Sequence, residues 1–232
     1  MRIRRALALL CTFLPLTGAA GELGLPALLA RLTDLDRLPV LEPAVTCRQF
    51  SSYDRASRYD PATKQYVNWS ANGDSGQYLR VEPNGEAVMA EMAGPGCIVR
   101  IWSANPTGTI RLYLDGAAKP TWEFPFADLF QGRVAPFARP VAGMNGRGAN
   151  AYLPIPYARS CRVTADKAHR QYYHIGYLTF PEGTPVRTFR LPLDDAERAA
   201  VTSATQALSR GEPANQDAKT TTHDLPPGQA VT

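Results

Sequence analysis

The stretch that most constrains this chain spans residues 94–116. It opens with Gly-Pro-Gly, continues in a β-rich run over 97–104, turns at Asn-Pro-Thr-Gly, and resumes as an alternating run over 109–114 that stops at Asp115-Gly116. Branched and aromatic side chains favour extended backbone, while Gly, Pro and Asn set the chain turning. The pattern predicts a β-hairpin with its turn at 105–108. Regular alternation puts Arg100 and Trp102 on one face together with Ile98. A cation beside a large ring is a pairing that can meet a ligand.

The rest of the chain repeats this style. Its 18 glycines and 20 prolines favour many short strands over long helices. A strand over 81–92 is interrupted by Pro83-Asn84-Gly85, and Trp122-Glu123-Phe124-Pro125-Phe126 alternates again. Residues 131–150 read as a long loop rich in Gly, Pro and Arg, followed by strands at 151–157 and 161–165. Residues 171–180 form the strongest strand after the hairpin. Tyr173, Ile175 and Tyr177 lie on one face of it, and Tyr172, His174, Gly176, Leu178 and Phe180 on the other. Strand-helix alternation of the doubly wound kind does not occur, so the expected class is all-β, a jelly-roll β-sandwich.

Two helices frame it. A short one within 23–38 is opened by Pro26 and carries Leu28, Leu29 and Leu32 on one side; it is expected to have low structural weight. The second begins at Asp194, where Asp194 and Glu197 form a capping-box pattern, and a narrow stripe of Ala200, Val201, Ala204 and Leu208 follows up to Gly211. The expected organisation is a signal peptide at 1–20, a jelly-roll domain at 21–190, a helix at 191–211, and a linker at 212–232 leading to a second domain outside this chain.

Residues 1–20 have a basic start (Arg2, Arg4, Arg5), an apolar run and a small-residue zone, which is the build of a secretory leader too short to span a membrane. The expected location is secreted or periplasmic. Cleavage takes the formal net charge from +4 to +1, so no nucleic-acid or anionic-membrane surface is expected. Cys47, Cys97 and Cys161 would remain, an odd number that leaves at least one thiol unpaired. Cys97 and Cys161 fall in β-like runs and read as core residues, with one disulfide left open. His169 and His174 have a spacing that zinc sites use, but no Cys-x-x-Cys accompanies them, so no metal or other cofactor is expected. A Gly-x-Ser-x-Gly elbow is missing, and Gly94-Pro95-Gly96 precedes a strand rather than a helix, so it offers no phosphate cradle.

What stands out instead is aromatic and polar density. Ser51-Ser52-Tyr53-Asp54-Arg55 and Asn68-Trp69-Ser70 sit in loops, and flat rings beside hydroxyl-binding groups make a carbohydrate surface. Tyr53, Asp54, Arg55, Trp69, Arg100 and Trp102 are the candidate substrate-binding residues. Asp54, Asp60 and Asp74 can each hydrogen-bond a sugar or cap a turn, and the sequence leaves both open. Trp122 reads as core. None of the 21 acidic residues makes a persuasive catalytic pair.

These residues resemble a known family. Ser51-Ser52-Tyr53-Asp54-Arg55, Gly94-Pro95-Gly96 leading into Ile98-Val99-Arg100-Ile101-Trp102, Leu112-Tyr113-Leu114-Asp115-Gly116, 152–157 and Tyr172-Tyr173-His174-Ile175 occur in the order seen in glycoside hydrolase family 172, formerly domain of unknown function 2961. The resemblance implies a double jelly roll assembled as trimers or hexamers, and retaining hydrolysis of α-linked fructofuranosyl or arabinofuranosyl sugars. The family's catalytic glutamates lie in later segments resembling Trp-Gly-Glu-Gly-Asp and Gly-Thr-Glu-Asp-Tyr, and neither segment occurs here. No catalytic residue is therefore assigned, and the chain by itself is expected to be inactive. A stand-alone carbohydrate-binding module, or a structural oligomerisation module, is the alternative.

Overall fold

A computed structural model describes residues 21–210. The expected leader and linker lie outside the described residues. Two antiparallel sheets pack face to face. The first runs β1 (Thr46–Ser51), β13 (Tyr173–Thr179), β6 (Gly96–Ser103), β10 (Gly148–Ala151), β9 (Ala142–Asn145), with β11 (Ile155–Tyr157) also on β6. The second runs β4 (Arg80–Val81), β5 (Glu86–Ala93), β12 (Ser160–Asp166), β7 (Thr109–Leu114), β8 (Trp122–Pro125). A separate two-stranded ribbon is made by β2 (Arg58–Asp60) and β3 (Gln65–Val67). With α1 (Leu25–Thr33) and α2 (Asp195–Arg210) at its two ends, the chain is the mainly-β sandwich with one N-terminal and one C-terminal helix that its turn-rich pattern predicts.

The core lies between the sheets. Alternate residues of each strand enter it: Ile110, Leu112 and Leu114 from β7, Cys161, Val163 and Ala165 from β12, Tyr173, Ile175 and Tyr177 from β13. Each of the leucines, isoleucines and valines among them contributes roughly 1.5–3 kcal/mol by leaving water. Trp122 is in the core as its position suggests, edge-on to Phe189 at 4.5 Å and to Phe137 at 6.3 Å. The described cysteines are free thiols, with Cys97 and Cys161 buried and Cys47 exposed. Burial pushes both inner thiols far above their ordinary range.

The predicted hairpin is not formed. β6 and β7 run in succession but belong to opposite sheets, so residues 104–108 arch across the edge of the sandwich. Hydrogen bonds from neighbouring segments explain it. Phe126 N donates to Gly108 O at 2.8 Å, Gln171 Nε2 donates to Thr107 O at 2.8 Å, and Tyr172 N donates to Asn105 Oδ1 at 2.7 Å. The turn is satisfied by its neighbours rather than by bonds between its own two strands. The long loop at 131–150 is also partly regular: it holds β9 and the start of β10, joined through Gly146, whose φ of 61° suits a tight two-residue turn. The strand at 151–157 is broken into the end of β10 and β11.

Both helices carry more than their lengths suggest. The capping box at α2 is reciprocal: Glu197 N donates to Asp194 Oδ1 at 2.9 Å, and Asp194 N donates to Glu197 Oε2 at 3.0 Å. In α1, Leu25, Leu28 and Leu29 are buried, and the helix packs on α2. Leu28 joins Cys97, Phe180 and Val186 on the outer face of the first sheet, so α1 covers one end of that face. Low structural weight was the wrong expectation for α1, because its leucine side finds both the sheet and the second helix.

Candidate functional site

Among the described residues the other end of that outer face is open, and a β-bulge decides what it displays. Along β6, Ile98 pairs with Tyr177 of β13 and Arg100 pairs with Gly176, leaving Val99 as an extra residue. A bulge places two residues opposite one and shifts the alternation by one position. Ahead of it Cys97 faces out and Ile98 faces in; beyond it Ile101 and Ser103 face in, and Arg100 and Trp102 face out. The expectation that Arg100 and Trp102 share a face with Ile98 is thus corrected. Were Val99 paired in regular alternation, the arginine would point into the apolar core.

The register then builds a row across the sheet. Ser51 of β1 is opposite His174 of β13, His174 is opposite Trp102 of β6, and Trp102 is opposite Asn150 of β10. The Trp102 and His174 rings lie 4.6 Å apart at 36°. Asn150 is 6% exposed, and its Oδ1 accepts from Arg100 Nη2 at 3.0 Å, Arg100 Nε at 3.3 Å and Tyr152 Oη at 3.2 Å. Asn150 Nδ2 donates to Gly148 O at 3.3 Å, which fixes the amide. Gly148 is required by proximity: a Cβ there would sit 2.6 Å from Trp102 Nε1. Burial lowers the His174 pKa, and the charge of Arg100 lowers it further, so the ring is neutral at pH 7.

Among the residues singled out in the sequence, Arg100 and Trp102 meet here. Tyr53 and Arg55 follow directly from β1, with the Arg55 guanidinium 4.9 Å from the centre of the Tyr53 ring and Arg55 Nη2 donating to Ser51 O at 3.2 Å. Asp54 is a clamp. Its Oδ1 accepts Ala56 N at 3.0 Å and its Oδ2 accepts Gly73 N at 2.8 Å. Those two amides hold its carboxyl below the usual range. Asp60 accepts Ala62 N, so Asp54 and Asp60 serve turns, while Asp74 accepts Asp54 N and ties the two loops together. Trp69, 74% exposed, is on a different element, packed at 5.0 Å on Tyr66 of the β2–β3 ribbon, where Tyr59 and Tyr66 are cross-strand neighbours. Sequence reasoning missed Asn150 and Tyr152, which lay in an assumed loop and strand, and treated His174 as a bystander. The only signal was a polar residue in a small-residue strand, Gly-Ala-Asn-Ala.

The outer face of the second sheet is also polar but closed by its own pairs. Arg111 reaches Asp166 at 2.9 Å, Glu123 at 3.4 Å and Glu86 at 4.0 Å. Beside them is an open depression of about 630 Å³ lined by Asn84, Glu86, Arg111, Asp166, Lys167 and Arg170. Burial pushes the Glu86 and Asp166 carboxyls up, but their hydrogen bonds and Arg111 outweigh it and hold both below the ordinary range. Neither is a proton donor near neutral pH, which a glycosidase acid must be.

The fold and the display face define a β-sandwich domain with an open, ring-lined surface. Residues 43–212 match the GH172 first beta-sandwich domain, and the chain belongs to that glycoside hydrolase family. No curated protein matches it.

Proposed function

We propose that this chain is the substrate-supporting part of an exported glycoside hydrolase acting on α-linked fructofuranosyl or arabinofuranosyl sugars. The observation that carries the reading is the outward row of Trp102, His174, Asn150 and Arg100 on a domain of this hydrolase family. An aromatic ring takes the apolar face of a sugar, and the guanidinium, held in place by the Asn150 amide, takes its hydroxyls. Tyr53 and Arg55 extend the surface beyond β1, Asp54 shapes the loop that carries them, and Trp69 offers a second ring on the β2–β3 ribbon. Hydrolysis is not a property of this chain alone in this reading, because the acids beside its polar depression are held ionised by arginine and hydroxyl partners.

The test is a titration of the purified 232-residue chain with arabinofuranosyl and fructofuranosyl oligosaccharides, followed by tryptophan fluorescence and by assay of released sugar. The expected result is saturable binding, weakened at least tenfold by Trp102→Ala, with no release. Sugar release by this chain, or binding indifferent to Trp102, sinks the reading.

A further inference from the structure

Arg100 shares with Arg55, whose partners are backbone carbonyls and the Tyr53 ring, a part-buried position without a carboxylate, unlike most arginines of this domain. Arg111 has three carboxylates, Arg187 has Asp194 and Glu197, and Arg80 has Glu82 and Glu91. Among the described residues Arg100 has no carboxylate at all; its partner is the neutral oxygen of Asn150. It is only partly exposed, in the middle strand of the sheet, where an uncompensated charge is costly.

The geometry leaves one edge of the guanidinium free. Nε and Nη2 both point to Asn150 Oδ1, so the remaining hydrogens, on Nη1 and Nη2, face away from it. Asn150 is saturated by three donors and is itself buried, so it orients the arginine and cannot bind a ligand through Oδ1. Gly176 opposite Arg100 carries no side chain, and Gly143 opposite Asn150 leaves room for the side chain of Arg139, whose Nη2 donates to Met144 O at 2.9 Å.

We propose that the free edge of Arg100 is a carboxylate-binding subsite, with Trp102 as the apolar wall beside it. The two-hydrogen edge matches the two oxygens of a planar carboxylate. The carboxylate has two possible sources, an acidic sugar or an aspartate or glutamate side chain from outside residues 21–210. The inference deepens the carbohydrate reading by assigning Arg100 a charged rather than a neutral partner.

The test uses the full chain, observing the Trp102 indole Nε1–H and Arg100 Nε–H resonances, assigned with Trp102→Phe and Arg100→Gln. The probes are glucuronate, N-acetylglutamate, inorganic phosphate and neutral arabinose. Carboxylate binding that falls at least tenfold in Arg100→Gln supports the proposal; tighter binding of glucuronate than of N-acetylglutamate assigns an acidic sugar, and the reverse or equality assigns a side chain. Phosphate binding tighter than either carboxylate overturns it. Arabinose bound as well as glucuronate also overturns it, while leaving the carbohydrate reading intact. Carboxylate binding with no furanosyl binding supports the subsite and sinks the carbohydrate reading, and no binding of any probe overturns the subsite. Arg100→Lys separates folding from recognition: it retains the charge without the fork and is expected to recover only part of the affinity.

Discussion

Glu86 shows how the second sheet holds its polar face. Its carboxylate accepts from Thr164 Oγ1 at 2.6 Å, Tyr113 Oη at 2.8 Å and Asn84 Nδ2 at 2.8 Å, with Arg111 at 4.0 Å. Burial raises its pKa, but these partners win and the folded value lies below the ordinary 4.5. A depressed carboxylate stabilises the fold in full above about 4.5, and that contribution is lost as pH falls through the lower folded value. Thermal melts of the wild type and of Glu86→Gln are therefore expected to differ most at neutral pH and to converge below pH 4.5; a gap independent of pH contradicts this. At this scale the sequence was only half legible. Asp194 and Glu197 announced their capping box because the partners are local. Glu86 and Thr164 stand 78 positions apart, and nothing in either neighbourhood marks the bond. The same holds for Arg100 and Asn150, 50 positions apart.

Among the elements, α1 is the one whose weight is most easily underrated. It precedes the residues matched to the family domain, yet Leu25 and Leu29 enter the main core and Leu28 enters the smaller outer cluster. Leu29 is 1% exposed, so truncating it leaves a cavity as well as losing transfer energy. Leu29→Ala is expected to cost about 2–5 kcal/mol, measurable by urea denaturation; a cost within ~0.5 kcal/mol of zero means that α1 merely rests on the surface. Strand identity was well marked, because alternation and turn residues report extended backbone directly. Strand pairing was not. Asn105-Pro106-Thr107-Gly108 turns the chain equally well into a hairpin or an arch, and only the distant partners Gln171 and Tyr172 decide between them. The bulge at Val99 carries no Gly or Pro to announce it; its sole trace is that regular alternation would bury a cation.

For the whole molecule, β1 is unusual. It is the edge of the first sheet, and residues 46–49 are exposed on both faces. Ahead of it Leu38 is 78% exposed and Leu41 91% exposed. Unpaired edges and exposed apolar side chains are features that folded domains normally cover. We propose that they are covered by further copies of the same chain, in the trimers or hexamers that the family resemblance implies. Light scattering on the purified chain is expected to give a mass of three or six copies; a monomer at micromolar concentration rules this out for the domain by itself. The bulge has a consequence of another kind, for how such a chain can diverge. Val99 divides β6 into two halves that are out of step: Cys97 and Ile98 seat the helix and the core, while Arg100 and Trp102 serve the open face. Substitutions at Arg100 and Trp102 can retune what the face holds without disturbing the packing below. Drawing Val99 into a regular ladder would exchange the two roles, turning Arg100 and Trp102 inward and Ile101 outward, whereas deleting it would leave every other residue on its present face. The open face therefore survives loss of the bulged residue and is lost only if that residue is ironed into the ladder.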